Sequence, residues 1–344
     1  MKAIIGWGYC LLKTDWREIW RLAHDAKGNN GSSRVSVLAD LMMSTLYYKV
    51  SPSEYFYFRF PGMGKQERSG WAGTTAMWMA QRRFVPKGII PTFSSKQRFR
   101  EKFDHLMAED AGIVAWPHID DSIVKRLLDQ GVSSWFFKPE DGQCGTGGFI
   151  LEVGGLTIDA LHDKLEKKLV RGRKYIVERT LVNHETLRAV NPSCLNTVRV
   201  VTYTDGENVE VLFARIRFGN GEDVDNLGSG GYAAAVDSAT GKVSGEAVST
   251  RSGEAEYYER HPLSGGRFDG IEVPNWDRVI ELAKRAALVE PRASIVGWDL
   301  AVTDSGVYLV EGNHNWGKLL WQLPVRKGLK FDLDRYLDKA GHVR

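Results

Sequence analysis

Hydrophobic and polar positions recur along this chain with two different periods, and the switches between them mark its elements. Thr157–Val170 sets Ile158, Leu161, Leu165 and Leu169 at intervals of about three and four, one apolar stripe on an amphipathic helix. Arg278–Leu288 repeats that spacing with Val279, Leu282, Ala283 and Ala286 on its inner face. Asp15–Ala26, Val35–Tyr48, Lys96–Ala108 and Asp121–Asp129 also read as helices, the last closed by Gly131. Period two governs Asn196–Tyr203 and Asn208–Phe218, joined across Asp205-Gly206, and again Gly297–Thr303 and Val307–Glu311. Ser134–Lys138 reads as a strand that opens into a glycine-rich loop, Asp141–Gly148, with a return strand from Phe149, and Lys174–Glu178 reads as a buried strand. The aromatic segment Glu54–Phe60 fits helix or packing strand.

The pattern is α+β, antiparallel hairpins with helices between them, and lacks the regular βαβ alternation of a doubly wound fold. It divides into a mainly helical region over 1–90, a small subdomain over 91–180 that holds the glycine loop, and a large subdomain over 181–344. A length of 344 residues, 43% of them hydrophobic, is enough to bury a substantial core. The formal charge of +3 is dispersed among almost as many acids as bases, which favours an anionic small molecule over nucleic acid. Cys10, Cys144 and Cys194 are far apart and form no metal-ligand spacing, so a reducing, cytoplasmic setting is expected. The opening stretch lacks a signal-peptide cleavage site, and no apolar run reaches membrane-spanning length.

The last hairpin carries the sharpest chemical signal. With its turn centred on Ser305, Asp299 faces Glu311, and Asn313 shares the face of Glu311 if the strand stays extended past Gly312. Two carboxylates and a carboxamide then converge, and like charges held opposite each other call for a cation. An incomplete oxygen shell suits Mg²⁺ bridging nucleotide phosphates. A surface hairpin with two solvated acids is the alternative. Upstream, Lys138 ends an apolar strand beside Gly142, Gly145 and Gly147, where a point charge and close backbone N–H groups suit phosphate oxygens; a plain flexible turn is the other reading. Glu178 and Glu185, seven positions apart, suit an adenine and a ribose.

In this order the three elements resemble the ATP-grasp superfamily, in which two α+β subdomains with antiparallel sheets clasp ATP. Ser193-Cys-Leu-Asn-Thr-Val-Arg, Val224-Asp-Asn-Leu-Gly-Ser-Gly-Gly, His261-Pro-Leu-Ser-Gly and Gly297-Trp-Asp-Leu-Ala look most like its sugar-transfer-associated branch, close to the α-L-glutamate ligase-like proteins. The resemblance implies Lys138 on the α- and β-phosphates, the glycine loop over them, and Glu178 with the backbone of Thr180 and Leu181 at adenine. It also implies Glu185 at ribose, two Mg²⁺ ions on Asp299, Glu311 and Asn313, and a further phosphate lysine, Lys102 with Lys96 as the fallback. Arg199, with Arg215 or Arg217, then stabilises the transferred phosphoryl group, although a solvated arginine stripe would give the same spacing. The chain departs from many relatives at Gly297, where they carry an arginine. The Asn226–Gly231 loop, with Gly230 and Gly231, is the expected substitute on the substrate side. His261 is a candidate substrate contact or a structural loop histidine, and His314 and Trp316 could shape the acceptor pocket. The implied reaction joins a carboxylate to an amine through an acyl phosphate and releases ADP. A sugar or polyol kinase, or a nucleotide-binding protein without turnover, would use the same motifs.

Overall fold

Local capping chemistry fixes where the helices start. In the computed structural model, which describes residues 14–30, 33–129, 131–141, 147–221 and 225–341, the helices of eight residues or more are α1 (Trp16–Asn30), α2 (Arg34–Tyr48), α3 (Thr74–Phe84), α4 (Lys96–Phe103), α5 (Asp121–Asp129), α6 (Ile158–Lys168), α7 (Trp276–Val289) and α8 (Lys330–Gly341). Ser33, Ser95 and Thr157 accept the backbone N–H three residues on and so begin α2, α4 and α6. The ambiguous aromatic segment is a short helix, Pro52–Tyr57. Ser51 and Glu54 form a reciprocal capping box with Pro52 in the first turn, and this local signal outweighs the aromatic content.

Among the described residues eleven strands make two antiparallel sheets. The small sheet has the order β1 (Asp110–Ala115), β4 (Lys174–Arg179), β2 (Ser134–Pro139), β3 (Phe149–Glu152). Phe137 pairs with Phe149 where the glycine loop leaves and returns, and their rings stack at 4.9 Å. α5 and α6 cover this sheet through Val124, Leu127, Leu161 and Leu165, all fully buried. The large sheet runs β11 (Val307–Asn313), β10 (Ile295–Val302), β5 (Thr197–Thr204), β6 (Val209–Phe218), β7 (Tyr232–Val236), β8 (Val243–Ser249), β9 (Glu256–Tyr258). Val279, Leu282, Ala283 and Ala286 of α7 pack into its core, as their spacing predicts.

The central strands are buried on both faces. Val198, Val200, Ile216 and Leu300 belong to the core that α7 joins, while the alternate positions carry Arg199, Arg215, Arg217 and Asp299. Phe99 and Phe103 of α4, with Met77 and Phe84 of α3, also join the large core, so residues 72–106 pack there rather than under the small sheet. The earlier helices form a separate core with Leu227, Ala233, Leu320 and Leu323.

One buried glutamine ties this region to the C-terminal segment. Gln322, fully buried in the short helix Lys318–Gln322, accepts from Ala72 N–H at 2.8 Å and from Leu329 N–H at 3.1 Å, and donates to Ala72 O at 3.0 Å. Replacing it by leucine strands two buried N–H groups. Gln322→Leu is therefore expected to lower unfolding free energy by about 2 kcal/mol or more in urea titration.

Candidate active site

One row of charge crosses four strands of the large sheet. Register sets Glu311 of β11 against Asp299 of β10, Asp299 against Arg199 of β5, and Arg199 against Arg215 of β6. At about 4.8 Å between strands, two acids and two arginines line up over roughly 15 Å.

The pairing of the two acids depends on an extra residue. Nearest the turn the partners are Val302 with Val307, Ala301 with Tyr308 and Leu300 with Leu309, which centres the hairpin between residues 304 and 305 rather than on Ser305. That register alone would set Val310 opposite Asp299 and turn Glu311 to the other face. A bulge beyond Leu300 and Leu309 leaves Val310 unpaired and brings Glu311 opposite Asp299 and Asn313 opposite Gly297.

Asp299 is almost wholly buried, and each of its oxygens is bound by arginine. Arg199 donates through Nε to Oδ1 and through Nη2 to Oδ2 at 2.8 Å; Arg217 Nη2 donates to Oδ2 at 2.8 Å, and Asn313 Nδ2 to Oδ2 at 3.2 Å. Burial pushes this carboxyl up, but the two guanidiniums outweigh it and hold it below its ordinary value. Arg217 is fixed from its other side by Thr197 and by Asp225, which lies 3.5 Å away and takes Thr197 N–H and Oγ1 at 2.8 and 2.6 Å. Burial lowers Arg217, and the carboxylates of Asp225 and Asp299 more than reverse it. Asp225 is a site residue that sequence spacing did not single out.

Gly297 explains how Arg199 reaches this position. A Cβ there would stand 2.8 Å from Arg199 Cδ and 2.7 Å from Trp316 Cβ. The space that a side chain at 297 would occupy is filled by an arginine from the adjacent strand, whose Nη1 also donates to Trp316 O at 3.0 Å.

Arg215 has different partners. It is buried and donates to Ala214 O at 2.8 Å and Trp321 O at 2.7 Å, with its guanidinium 5.0 Å from the Phe213 ring centre. Among the described residues no carboxylate pairs with it and its Nε–H has no acceptor, and burial lowers its pKa to about 10. Trp316, whose ring lies 5.5 Å from Phe213, also has an unpaired buried donor, Nε1. All three arginines are buried, so they are not a solvated stripe.

On the small sheet, Lys138 Nζ lies 3.9 Å from Glu178, which Arg100 approaches to 3.7 Å from α4. Arg100 is buried and also bridges Asp104 and Asp110. It too was not marked by sequence. Lys102 turns away from this group and pairs with the buried carboxylate of Glu290. Lys96 bonds to Pro139 O, next to Lys138. Burial and the Lys138 charge lower its pKa while Glu311 raises it, so Lys96 stands between the small sheet's lysine and the β10–β11 hairpin. Lys96, the fallback, is the lysine on the cleft side.

The family model for sugar-transfer associated ATP-grasp matches residues 127–336, well over half of the chain. The chain belongs to this family. No curated protein sequence matches it. Among solved structures it is similar to D-cycloserine synthetase DcsG, at 12% identity and TM-score 0.46 over 86% of this chain and 82% of that one. It is also similar to the ATP-grasp ligase PsnB complexed with minimal precursor, Mg and ADP, at 13% identity and TM-score 0.42 over 83% and 72% of the two chains. A third is the D-alanine–D-alanine ligase from Bacillus anthracis, at 12% identity and TM-score 0.40 over 72% and 69%.

Asp299, Glu311 and Asn313 are oxygen donors of the type a nucleotide-bound cation takes, but here both Asp299 oxygens accept from arginine and Asn313 turns its amide N–H toward Asp299. Among the described residues no three His, Cys, Asp or Glu side chains gather as a metal cluster, so a cation at this hairpin would displace those N–H groups and take its remaining oxygens from phosphates. Gly142 and Gly145 lie outside the described residues, as does Cys144. Gly147, at φ +78, sits against Arg173, which grips Asp141 at 2.7 Å across the loop base. Thr180 carries a buried, unpaired Oγ1 just after β4, Leu181 is half-buried, and Glu185 is exposed with its N–H 3.3 Å from Asp304 in the β10–β11 turn. Trp316 is fully buried, and burial lowers the pKa of His314.

The two substrate-side candidates have partners within the chain, and His261 takes the structural role that was its alternative reading. Gly228 N–H donates to the Asn226 side chain, and the N–H groups of Ser229, Gly230 and Gly231 donate to carbonyls of Asn226 and Leu227, so the loop's amides close on themselves rather than facing an oxyanion. His261 is buried, with Nε2 2.7 Å from Gly219 O and Nδ1 accepting from Ser264 N–H at 3.3 Å; it fastens its loop to the end of β6.

Among the described residues Asp299 is the one acid shared by two buried arginines. Asp299→Asn leaves both facing a neutral amide and is expected to cost about 3–5 kcal/mol of stability, read from the urea midpoint.

Proposed function

We propose that the chain is an ATP- and Mg²⁺-dependent carboxylate–amine ligase that forms an amide through an acyl phosphate and releases ADP. Membership in the ATP-grasp family and the Asp299–Glu311–Asn313 hairpin support the nucleotide half of this reading. The observation that carries the substrate half is the unmatched charge of Arg215. Three arginines, Arg199, Arg215 and Arg217, are buried on this face against two buried carboxylates, Asp225 and Asp299. An uncompensated buried cation costs several kcal/mol, so the face is set up to receive an anion. A carboxylate supplies that charge, whereas a sugar hydroxyl does not.

In this reading the acid's carboxylate lies against Arg215 and Arg199, and the γ-phosphoryl group lies toward Asp299 and Glu311. A carboxylate oxygen attacks the γ-phosphorus, the bond to the β–γ bridging oxygen breaks, and ADP leaves. The amine then attacks the acyl carbon and phosphate departs. Lys96 and Lys138 hold the nucleotide's phosphates, and Thr180, Leu181, Glu178 and Glu185 border its adenosine. Mg²⁺ held by Asp299, Glu311 and Asn313 would supply charge neutralisation at the transferred group. The isolated cysteines support a cytoplasmic setting.

Incubation of candidate acids with ATP, Mg²⁺ and hydroxylamine should yield a hydroxamate and stoichiometric ADP, both lost in Asp299→Ala. A phosphorylated alcohol without hydroxamate would make the protein a kinase, and ATP binding without turnover would make it a binding protein. For an acid that reacts, Arg215→Gln is expected to raise its KM by about 30-fold or more while the KM for ATP stays within about 3-fold; equal shifts in both would remove Arg215 from acid recognition.

A further inference from the structure

α2 is apolar on its outer side as well as its inner one. Its buried positions are Val37, Leu41, Ser44 and Thr45, with the Thr45 hydroxyl donating back to Leu41 O at 2.9 Å. Its solvent side carries Val35, Ala39, Met42, Met43, Leu46 and Tyr47, spaced by three and four along one face, with Val35 75%, Met43 62% and Tyr47 77% exposed. Trp16 and Trp20 of α1 stand beside this ridge, each about half exposed, and a groove of about 360 Å³ runs between the helices, bounded by Trp16, Ile19, Trp20, Leu38, Leu41 and Met42. Surface helices of globular proteins turn polar residues outward; one with an apolar outer stripe marks a contact.

The charges of α2 and its C-cap are one-sided. Asp40, the sole acid in α2, is consumed internally by Arg68 at 2.7 and 2.9 Å and by the Tyr55 hydroxyl at 2.7 Å. Arg34 opens the helix and Lys49 caps its far end, so the apolar face lies between two cations. The Arg34 guanidinium rests 4.6 Å above the Trp20 ring, and its Nε–H is buried with no acceptor. Self-pairing along the ridge would bring cation against cation in either orientation, Arg34 on Lys49 or like on like.

We propose that this face docks on the surface of an anionic phospholipid bilayer. The aliphatic stripe enters the acyl boundary, and the Trp and Tyr rings take the interfacial layer that suits an apolar ring with a polar edge. Arg34 and Lys49, at the two ends of the stripe, meet headgroup phosphates as cations. Among the described residues no helix is long and apolar enough to cross a membrane, so the contact is peripheral. This surface is independent of the reaction proposed above.

The test is sedimentation of the full chain with phosphatidylcholine vesicles, with and without roughly 30% phosphatidylglycerol, at low and high salt. The protein should pellet with the anionic vesicles, several-fold less with the neutral ones, and less at high salt. Met43→Gln/Leu46→Gln, which touches exposed positions only, should lower partitioning about 10-fold or more with an unchanged unfolding midpoint, and Arg34→Gln should erase most of the preference for anionic lipid. No pelleting with anionic vesicles, or equal pelleting of the double variant, overturns the proposal. So does a double variant that converts an associated species to monomer in light scattering without altering pelleting, which would give the face to a second copy.

Discussion

The grip of Arg199 and Arg217 on the Asp299 carboxylate is the interaction around which the large sheet's inner face is arranged. A carboxylate this deeply buried is ionised only because two guanidiniums surround it, and each guanidinium needs its own support. Asp225 and Thr197 supply it to Arg217, and the Trp316 carbonyl supplies it to Arg199. The empty Cβ position of Gly297 lets the stem of Arg199 lie flat across the neighbouring strand. Gly312 serves the opposite face in the same way, since a Cβ there would meet Phe99 at 2.6 Å and Trp298 at 2.9 Å. The Glu-Gly-Asn sequence therefore joins two polar side chains through the one residue type that admits the aromatic core behind them.

Across the cleft the small sheet answers with cations. Lys138 is aligned by Glu178, Glu178 by Arg100, and Lys96 by the end of the same strand. Arg100 stands between Phe99 and Phe103, which pack into the large core, so one helix fastens the lysine side of the cleft to the carboxylate side. The chemistry assigned to the cleft thus rests on a charge gradient, from lysines through carboxylates to arginines, held by backbone register more than by flexible side chains.

The hairpins and the amphipathic helices were legible because period two and period 3.6 are local properties, and the Asp299–Glu311 pairing was reached by counting from a turn. The count succeeded through compensation: the turn centre lay half a residue from Ser305, and the bulge at Val310 restored the pairing. What the sequence hid was long-range. Lys96 and Lys102 lie on one short helix, and only Glu290, some 190 positions later, decides which of them leaves the cleft. Arg100 and Asp225 look like ordinary charged residues until their buried partners are in place. His261 sits in a polar loop, and its burial comes from a strand end 42 positions earlier. The Asn226–Gly231 loop has the composition of an anion nest, but an Asx turn and a short 3₁₀ turn spend its amides locally.

Gln322 has a consequence beyond stability. It is the residue next to Trp321, whose carbonyl holds Arg215, and it is bonded on both sides of a peptide at Ala72, where the N-terminal helices meet the large core. Lys318, in the same short helix, is joined to Glu54 at 3.0 Å. The Gln322–Ala72 and Lys318–Glu54 contacts therefore tie the N-terminal helices to the same short segment whose Trp321 carbonyl holds Arg215, so that the early helices and the buried arginine share one anchor.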